Sequence, residues 1–145
     1  MVLTDAESSS LRKYMTETKL EILCIEDDED TCELVTFVFK DAGFEIESCG
    51  QTDCLKLIHE EKFSAIILDN YFDGMSGVEI CQEIRSFDQI TPVIFLSGEV
   101  REAEIDKAMA AGANAYLTKP IDFEKLVPTT IKLIEQSKTQ AETLE

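Results

Sequence analysis

The sequence is poor in basic residues. Against 30 Asp and Glu it carries 13 Lys and Arg, a net charge of −17. That balance argues against nucleic acid as a direct partner, because its phosphates would be repelled. There is one histidine, His59, at the end of a helical pattern beside Glu60 and Glu61. A lone imidazole without a partner is expected to be an ordinary surface residue. The five cysteines, Cys24, Cys32, Cys49, Cys54 and Cys81, are odd in number and form no CxxC pair. A disulfide framework and a zinc site therefore both fit badly. Cys24 and Cys81 lie in apolar patterns and are expected in the core. No apolar stretch approaches the roughly 20 residues needed to cross a bilayer. The N-terminus lacks a basic, apolar and small-residue leader. A cytoplasmic protein without a membrane partner is expected. Internal repeats, low-complexity tracts and a second domain are also missing.

What is present is a core. With 44% hydrophobic residues in a chain of 145, intrinsic disorder of the whole is ruled out, and one domain with a buried interior is expected. Residues 1–19 hold three acids and three bases, so the entire −17 lies beyond them. Five acids are consecutive, Glu26-Asp27-Asp28-Glu29-Asp30, directly after an apolar run. Leu11, Tyr14 and Met15 have helical spacing, consistent with either a short docked helix or a mobile arm.

From Leu20 onward the pattern is regular. Strands are predicted at 20–25, 44–48, 65–68, 92–96 and 115–117, and helices at 31–42, 51–61, 76–85, 101–110 and 123–137. Pro128 lacks an N–H, so a short first turn followed by a restart or kink is expected near it. Five strands alternating with five helices imply a parallel sheet covered on both faces. The strands at 65–68 and 92–96 are apolar on both faces and belong in the middle, whereas 44–48 alternates and belongs at an edge. The expected class is α/β, a doubly wound five-stranded parallel sheet of order 2-1-3-4-5.

Ligands bind such folds at the carboxyl ends of the strands. Three central strands end at Glu26-Asp27, Asp69 and Ser97, and the fifth ends at Lys119. Three carboxylates in one cleft cannot all stay ionised without a counter-charge. A small, hard divalent ion would supply it, Mg²⁺ first and Mn²⁺ as an alternative. Asp69 can act as a nucleophile toward phosphorus to give an aspartyl-phosphate, with Lys119 and Ser97 holding phosphoryl oxygens. Glu29 and Asp30 are more simply explained as acids favouring a helix start. Met75 and Gly77 are more simply loop and helix-start residues, and Tyr116 alone could be a core residue.

At these positions the chain resembles the receiver domain of bacterial two-component response regulators, the CheY-like family with its flavodoxin-like fold. The motifs are Ile22-Leu23-Cys24-Ile25-Glu26-Asp27-Asp28, then Ile66-Ile67-Leu68-Asp69 with Gly74-Met75-Ser76-Gly77. They continue through Val93-Ile94-Phe95-Leu96-Ser97 and Gly112-Ala113-Asn114-Ala115-Tyr116-Leu117-Thr118-Lys119-Pro120. The resemblance covers residues 20–137, leaving 1–19 as an N-terminal extension and 138–145 as a C-terminal tail.

The resemblance implies that Asp69 accepts phosphate from a sensor histidine kinase or a histidine phosphotransfer protein. Glu26 and Asp27, with Asp69 and the backbone carbonyl of Tyr71, would hold Mg²⁺; Asp28 could instead be shifted into the acid pair. Ser97 and Tyr116 would form the switch, Lys119 would pair with the phosphoryl group, and the Lys119-Pro120 bond would be cis. The implied protein is a signalling domain rather than an enzyme acting on a separate substrate. Its output face would be the fourth helix, fifth strand and fifth helix. Asp73 stands where a proline is common and Gly98 where an alanine is. Tyr71 and Glu99 occupy the two positions that control water access in the family, so a bulky Tyr71 is expected to slow dephosphorylation.

Two competing functions follow from the same residues. One is an Mg²⁺-dependent phosphatase with an aspartyl nucleophile, which would want a second acid where Tyr71 stands. The other is a degenerate receiver that binds partners without phosphorylation. Both a stand-alone regulator and a receiver cut from a longer chain fit the sequence.

Overall fold

The computed structural model describes residues 4–7 and 20–144, with side chains described as far as Ala141. The helical spacing at Leu11, Tyr14 and Met15 falls outside these residues. Residues 5–7 are helical. The start of this segment is capped by the Glu7 N–H donating to Thr4 Oγ1 at 3.1 Å and the Thr4 N–H donating to Glu7 Oε2 at 3.2 Å.

Five parallel strands lie in the order β2-β1-β3-β4-β5. They are β1 (Glu21–Ile25), β2 (Glu45–Cys49), β3 (Ala65–Leu68), β4 (Val93–Ser97) and β5 (Ala115–Thr118). The helices are α1 (Glu29–Asp41), α2 (Gln51–Glu60), α3 (Gly77–Phe87), α4 (Glu102–Ala110) and α5 (Leu126–Leu144). The doubly wound α/β architecture expected from the alternation is the one formed.

Successive strand residues point to opposite faces, and the core divides accordingly. Leu23, Ile25, Ile66, Leu68, Val93 and Phe95 pack beneath α2, α3 and α4, against Cys54, Ile58, Ile80, Cys81, Ile84 and Ala108. Ile22, Cys24, Ala65, Ile67, Ile94, Leu96 and Leu117 face the other way, against Val35 and Phe39 of α1 and Leu126 and Ile134 of α5. Each fully buried Ile, Leu or Phe contributes about 1.5–3 kcal/mol relative to exposure. Cys24 and Cys81 are buried as expected, and His59 is an exposed residue whose ring stacks on Phe87 at 3.9 Å.

Register fixes which residues leave the sheet together. Ile25 pairs with Leu68, Leu68 with Phe95, and Ser97 with Thr118. Glu26, Asp69 and Lys119 immediately follow paired residues and Ser97 is the last paired residue of β4, so the pairing brings all four to one edge of the sheet.

Several helix boundaries differ from expectation, and for two of them, the start of α1 and the end of α5, the cause is plain. Helix α1 begins at Glu29 because the Asp28 carboxylate caps it, accepting the Thr31 N–H at 3.0 Å and the Thr31 hydroxyl at 2.6 Å. Helix α5 continues to Leu144 rather than stopping near Ser137, so residues 138–144, expected as a tail, extend it. Nothing after Pro128 breaks a helix, since no Gly or Pro follows it. Pro128 itself does no harm. A 3-10 turn at Phe123–Lys125 precedes Leu126, which leaves Pro128 in the first turn of α5, where an N–H has no intrahelical partner. Among the described residues no helix is long and apolar enough to cross a membrane.

Candidate functional site

Glu26 follows β1 and is buried, its side chain 3% exposed. Lys119, which follows β5, reaches it: Nζ donates to Glu26 Oε1 at 2.5 Å and lies 3.9 Å from Asp69 Oδ1. Glu26 Oε2 is buried with no hydrogen-bond partner. Burial and the adjacent Asp69 carboxyl push Glu26 up to about 7, against the downward pull of Lys119. A carboxyl in that position either holds a proton or needs a further cation.

Asp69 follows β3. Its N–H donates to the Ile25 carbonyl at 3.2 Å, and its Oδ1 accepts the N–H of Asn70 at 2.8 Å. The start of α3 is packed directly beneath it. A Cβ on Gly77 would stand 2.2 Å from the Asp69 carbonyl oxygen and 2.8 Å from Asn70 Cα, so only glycine allows this approach. Ser76 caps α3 by accepting the Glu79 N–H at 3.2 Å. Gly77 thus sets the height of Asp69, a role hidden in a sequence where it looked like an ordinary helix start.

Asp27 is exposed and points toward the end of β2, close enough that a Cβ on Gly50 would meet its Oδ1 at 3.0 Å. It lines an open cleft of about 500 Å³ with Glu26, Cys32, Ser48 and Cys49. The Cys32 thiol donates to the Glu26 carbonyl at 3.4 Å, tying α1 to the loop. Asp28 is taken up by its cap on α1. Its carboxyl is held below the usual range by the Thr31 hydrogen bonds. The trio of carboxylates whose oxygens come within 4.8 Å of one another, among the described residues, is not at this site. It is Glu21, Glu47 and Glu61, on the surface toward the other end of β1.

Ser97 ends β4, fully buried, and its hydroxyl accepts the Glu99 N–H at 3.2 Å. The Lys119 N–H donates to the Ser97 carbonyl at 2.9 Å, and the Lys119-Pro120 peptide is cis. Tyr116 on β5 is turned inward. Its ring stacks on Phe95 at 5.6 Å, its hydroxyl donates to the Glu99 carbonyl at 2.9 Å, and burial raises its pKa.

Tyr71 and Glu99, two residues beyond Asp69 and Ser97, are in contact. The Tyr71 hydroxyl donates to Glu99 Oε2 at 2.8 Å, and Arg101 donates to both. Those hydrogen bonds hold the Glu99 carboxyl down to about 2. Arg101 had no signal in the sequence beyond opening a helix.

The donor set fits a hard divalent cation: its side-chain donors are carboxylate oxygens, one of them buried and unpartnered, with an exposed carboxylate beside it. The structure therefore brings Glu26, Asp69 and Lys119 into contact, sets Ser97 and Tyr116 around the Glu99 backbone, and leaves Asp27 at the rim.

Residues 22–130 match the response regulator receiver domain family. The chain is 35% identical over 127 residues to the transcriptional regulatory protein HprR of Escherichia coli, covering 87% of this chain and 56% of that protein. It is 27% identical over 114 residues to the DNA-binding response regulator MtrA of Mycobacterium tuberculosis, covering 78% of this chain and 50% of that one. Among solved structures, a CheY-like receiver domain protein from Methanospirillum hungatei superposes with a TM-score of 0.79 at 20% identity. That superposition covers 85% of this chain and 99% of the other. The chain thus spans about half the length of these two curated relatives.

Proposed function

The chain belongs to the response regulator receiver domain family of two-component signalling, and from that premise we propose that Asp69 is its phospho-acceptor. The observation that carries this reading is the buried Glu26 carboxyl, half satisfied by Lys119 and half unpartnered, beside Asp69.

The donor would be a phosphohistidine on a sensor histidine kinase or histidine phosphotransfer protein. An Asp69 carboxylate oxygen attacks phosphorus, and the P–N bond breaks with its electron pair passing to the imidazole, which takes up a proton. Glu26, Asp27, Asp69 and the Tyr71 carbonyl are the ligands proposed for Mg²⁺, or Mn²⁺ in its place. The ion's charge would offset that of the phosphoryl oxygens. Lys119 needs only a small movement, since its ammonium already stands between Glu26 and Asp69. The Ser97 hydroxyl leaves the Glu99 N–H to donate to a phosphoryl oxygen, and Tyr116 follows through its bond to the Glu99 carbonyl. The change is thereby passed to the surface of α4, β5 and α5, where a partner protein would read it. The reading places the chain in the cytoplasm, as a signalling domain with no separate substrate.

The test is incubation with a small phosphodonor, with and without Mg²⁺, followed by mapping of the modified residue. One phosphoryl group at Asp69, labile to alkali and hydroxylamine as an acyl phosphate is, dependent on Mg²⁺ and absent in Asp69→Asn, is expected. Modification at another residue, or labelling that survives Asp69→Asn, overturns the assignment.

A further inference from the structure

The carboxyl ends of the strands hold the candidate phosphoryl site, and the other end of the sheet holds a feature that chemistry does not use. Where β3 and β4 begin, the last turns of α2 and α3 part around a cavity of about 590 Å³. Its wall includes Ile58, Phe63, Ile66, Phe87 and Ile90. A volume between about 300 and 1,000 Å³ with a mostly apolar wall is that of a binding pocket.

The polar atoms of the wall are already engaged. The Asp88 carboxylate accepts the N–H groups of Ile90 and Thr91 at 3.0 Å and the Thr91 hydroxyl at 2.5 Å. The Asp88 and Thr91 carbonyls accept from Arg85 at 2.9 Å. An occupant therefore gains by burying apolar surface here, and a polar group pushed inside would lose its water without finding a partner. At the mouth, the His59 ring stacks on Phe87 at 3.9 Å, yet Phe87 remains 41% exposed. An aromatic ledge is left open.

The rim is negative for three separate reasons. Helices α2 and α3 both end here, and helix carboxyl ends carry partial negative charge. Glu60, Glu61 and Asp88 line the mouth against a single base, Lys62. Glu61 also stands with Glu21 and Glu47, their oxygens within 4.8 Å of one another. Among the described residues no lysine or arginine is paired with these three. Such a field repels nucleic acid and anionic lipid and draws in bases.

We infer that this pocket docks a segment of a partner protein in which a large apolar side chain is flanked by lysines or arginines. The apolar side chain enters the cavity against Phe87, and the bases meet Glu60 and Glu61. The buried anchor supplies most of the affinity, while the charges supply rapid encounter and choice of partner. The inference is independent of phosphorylation at Asp69, which lies at the opposite end of the strands.

The chain has one histidine, His59, and no tryptophan. The His59 ring protons in NMR and the emission of a tryptophan in a probe peptide are therefore both read without interference. The probe is a short peptide of one tryptophan flanked by lysines, titrated into the full chain. The His59 resonances are expected to shift to saturation, and the peptide emission to move to shorter wavelength. Replacing the peptide tryptophan with alanine should weaken binding by about tenfold or more, the loss of a buried aromatic anchor. Glu60→Lys combined with Glu61→Lys should weaken it by about tenfold, since two exposed attractions become repulsions. That double variant should unfold at the wild-type temperature or above, because bases suit the end of α2.

Unmoved His59 resonances overturn the inference. So does an alanine peptide that binds within about twofold of the tryptophan peptide, since net charge alone would then explain the attraction. Binding to the double variant within about twofold of wild type overturns it as well. Two results without peptide would assign the pocket to another occupant and overturn the partner. One is a shift of the His59 resonances on dilution, which points to a second copy. The other is a shift in Tyr14→Ala, since Leu11, Tyr14 and Met15 with Arg12 and Lys13 offer the same chemistry within this chain.

Discussion

Lys119 Nζ stands 2.5 Å from Glu26 Oε1 and 3.9 Å from Asp69 Oδ1. The ammonium is seated on the buried acid, within reach of the more exposed one. With Glu26 3% and Lys119 24% exposed, most of this pair is removed from water. Replacing Lys119 with Met is expected to cost about 3–5 kcal/mol in urea unfolding at pH 8, as breaking a buried pair does. At pH 6 the loss should be smaller, because Glu26 can then carry a proton.

The pH dependence has a definite sign. Glu26 moves from an ordinary 4.5 to about 7 in the folded chain, so the native state binds its proton more tightly than the unfolded one. The resulting stability is fully present below about pH 4.5 and is lost as pH rises through about 7. Urea midpoints across that window should fall with pH in wild type more steeply than in Glu26→Gln. Equal slopes would remove Glu26 as the cause.

Divalent ions should offset this loss. Mg²⁺ is expected to raise the thermal midpoint at pH 8 more than at pH 6, since the ion binds the ionised carboxyl. The effect should weaken in Asp27→Asn and disappear on chelation. Calorimetric scans at two pH values decide it, and a shift as large in Asp27→Asn as in wild type counts against that ligand.

Gly77→Ala tests how the phospho-acceptor is held. The added methyl would enter within 2.2 Å of the Asp69 carbonyl oxygen, and backbone must move. A cost of about 1–3 kcal/mol is expected from the overpacking. Displacement of Asp69 on the order of 1 Å would slow labelling by about 100-fold. Gly98→Ala is the control, since its methyl meets nothing within 4 Å. It should change stability by less than about 0.5 kcal/mol.

Arg85 closes a second network, away from the site. Nε donates to the Gly112 carbonyl, Nη1 to those of Asp88 and Thr91, and Nη2 to Asn114 Oδ1, all at 2.8–2.9 Å. Gly112 lies in left-handed backbone, φ 113°, and a Cβ there would meet Arg85 Cγ at 2.6 Å. Arg85→Ala is expected to lower stability by about 2–4 kcal/mol, since several carbonyls lose a charged donor. Arg85→Lys should recover less than half of that loss, because one ammonium cannot serve four acceptors. Denaturant unfolding of both variants measures the difference.

The sheet was legible because its signals are periodic. Ala65 to Leu68 is apolar throughout and central, while Glu45 and Glu47 alternate with Ile46 and Ser48 at the edge. Strand ends follow from the same signals, so Glu26, Asp69, Ser97 and Lys119 could be aligned by reasoning alone. Arg85 could not be recognised, since a base in the last turn of a helix is unremarkable until its four partners are folded around it. Arg101 and Tyr71 lie 30 residues apart in loops without a period, and only the fold brings them together. The far end of α5 was missed because apolar spacing fades after Ile134 while no residue stops the helix.

β2 pairs with β1 and no other strand among the described residues, so one of its margins is not covered by the sheet. Such a margin is a template on which a second molecule can add its own strand. In this chain that strand carries Glu45 and Glu47, and partial burial of Glu47, with the crowding of its carboxyl by Glu61 and Glu21, raises its pKa. Two molecules meeting edge to edge would press these carboxylates against their own images, and the encounter is repelled while they are ionised. Colloidal stability, and not only phosphoryl chemistry, is thus a property of where this chain keeps its negative charge.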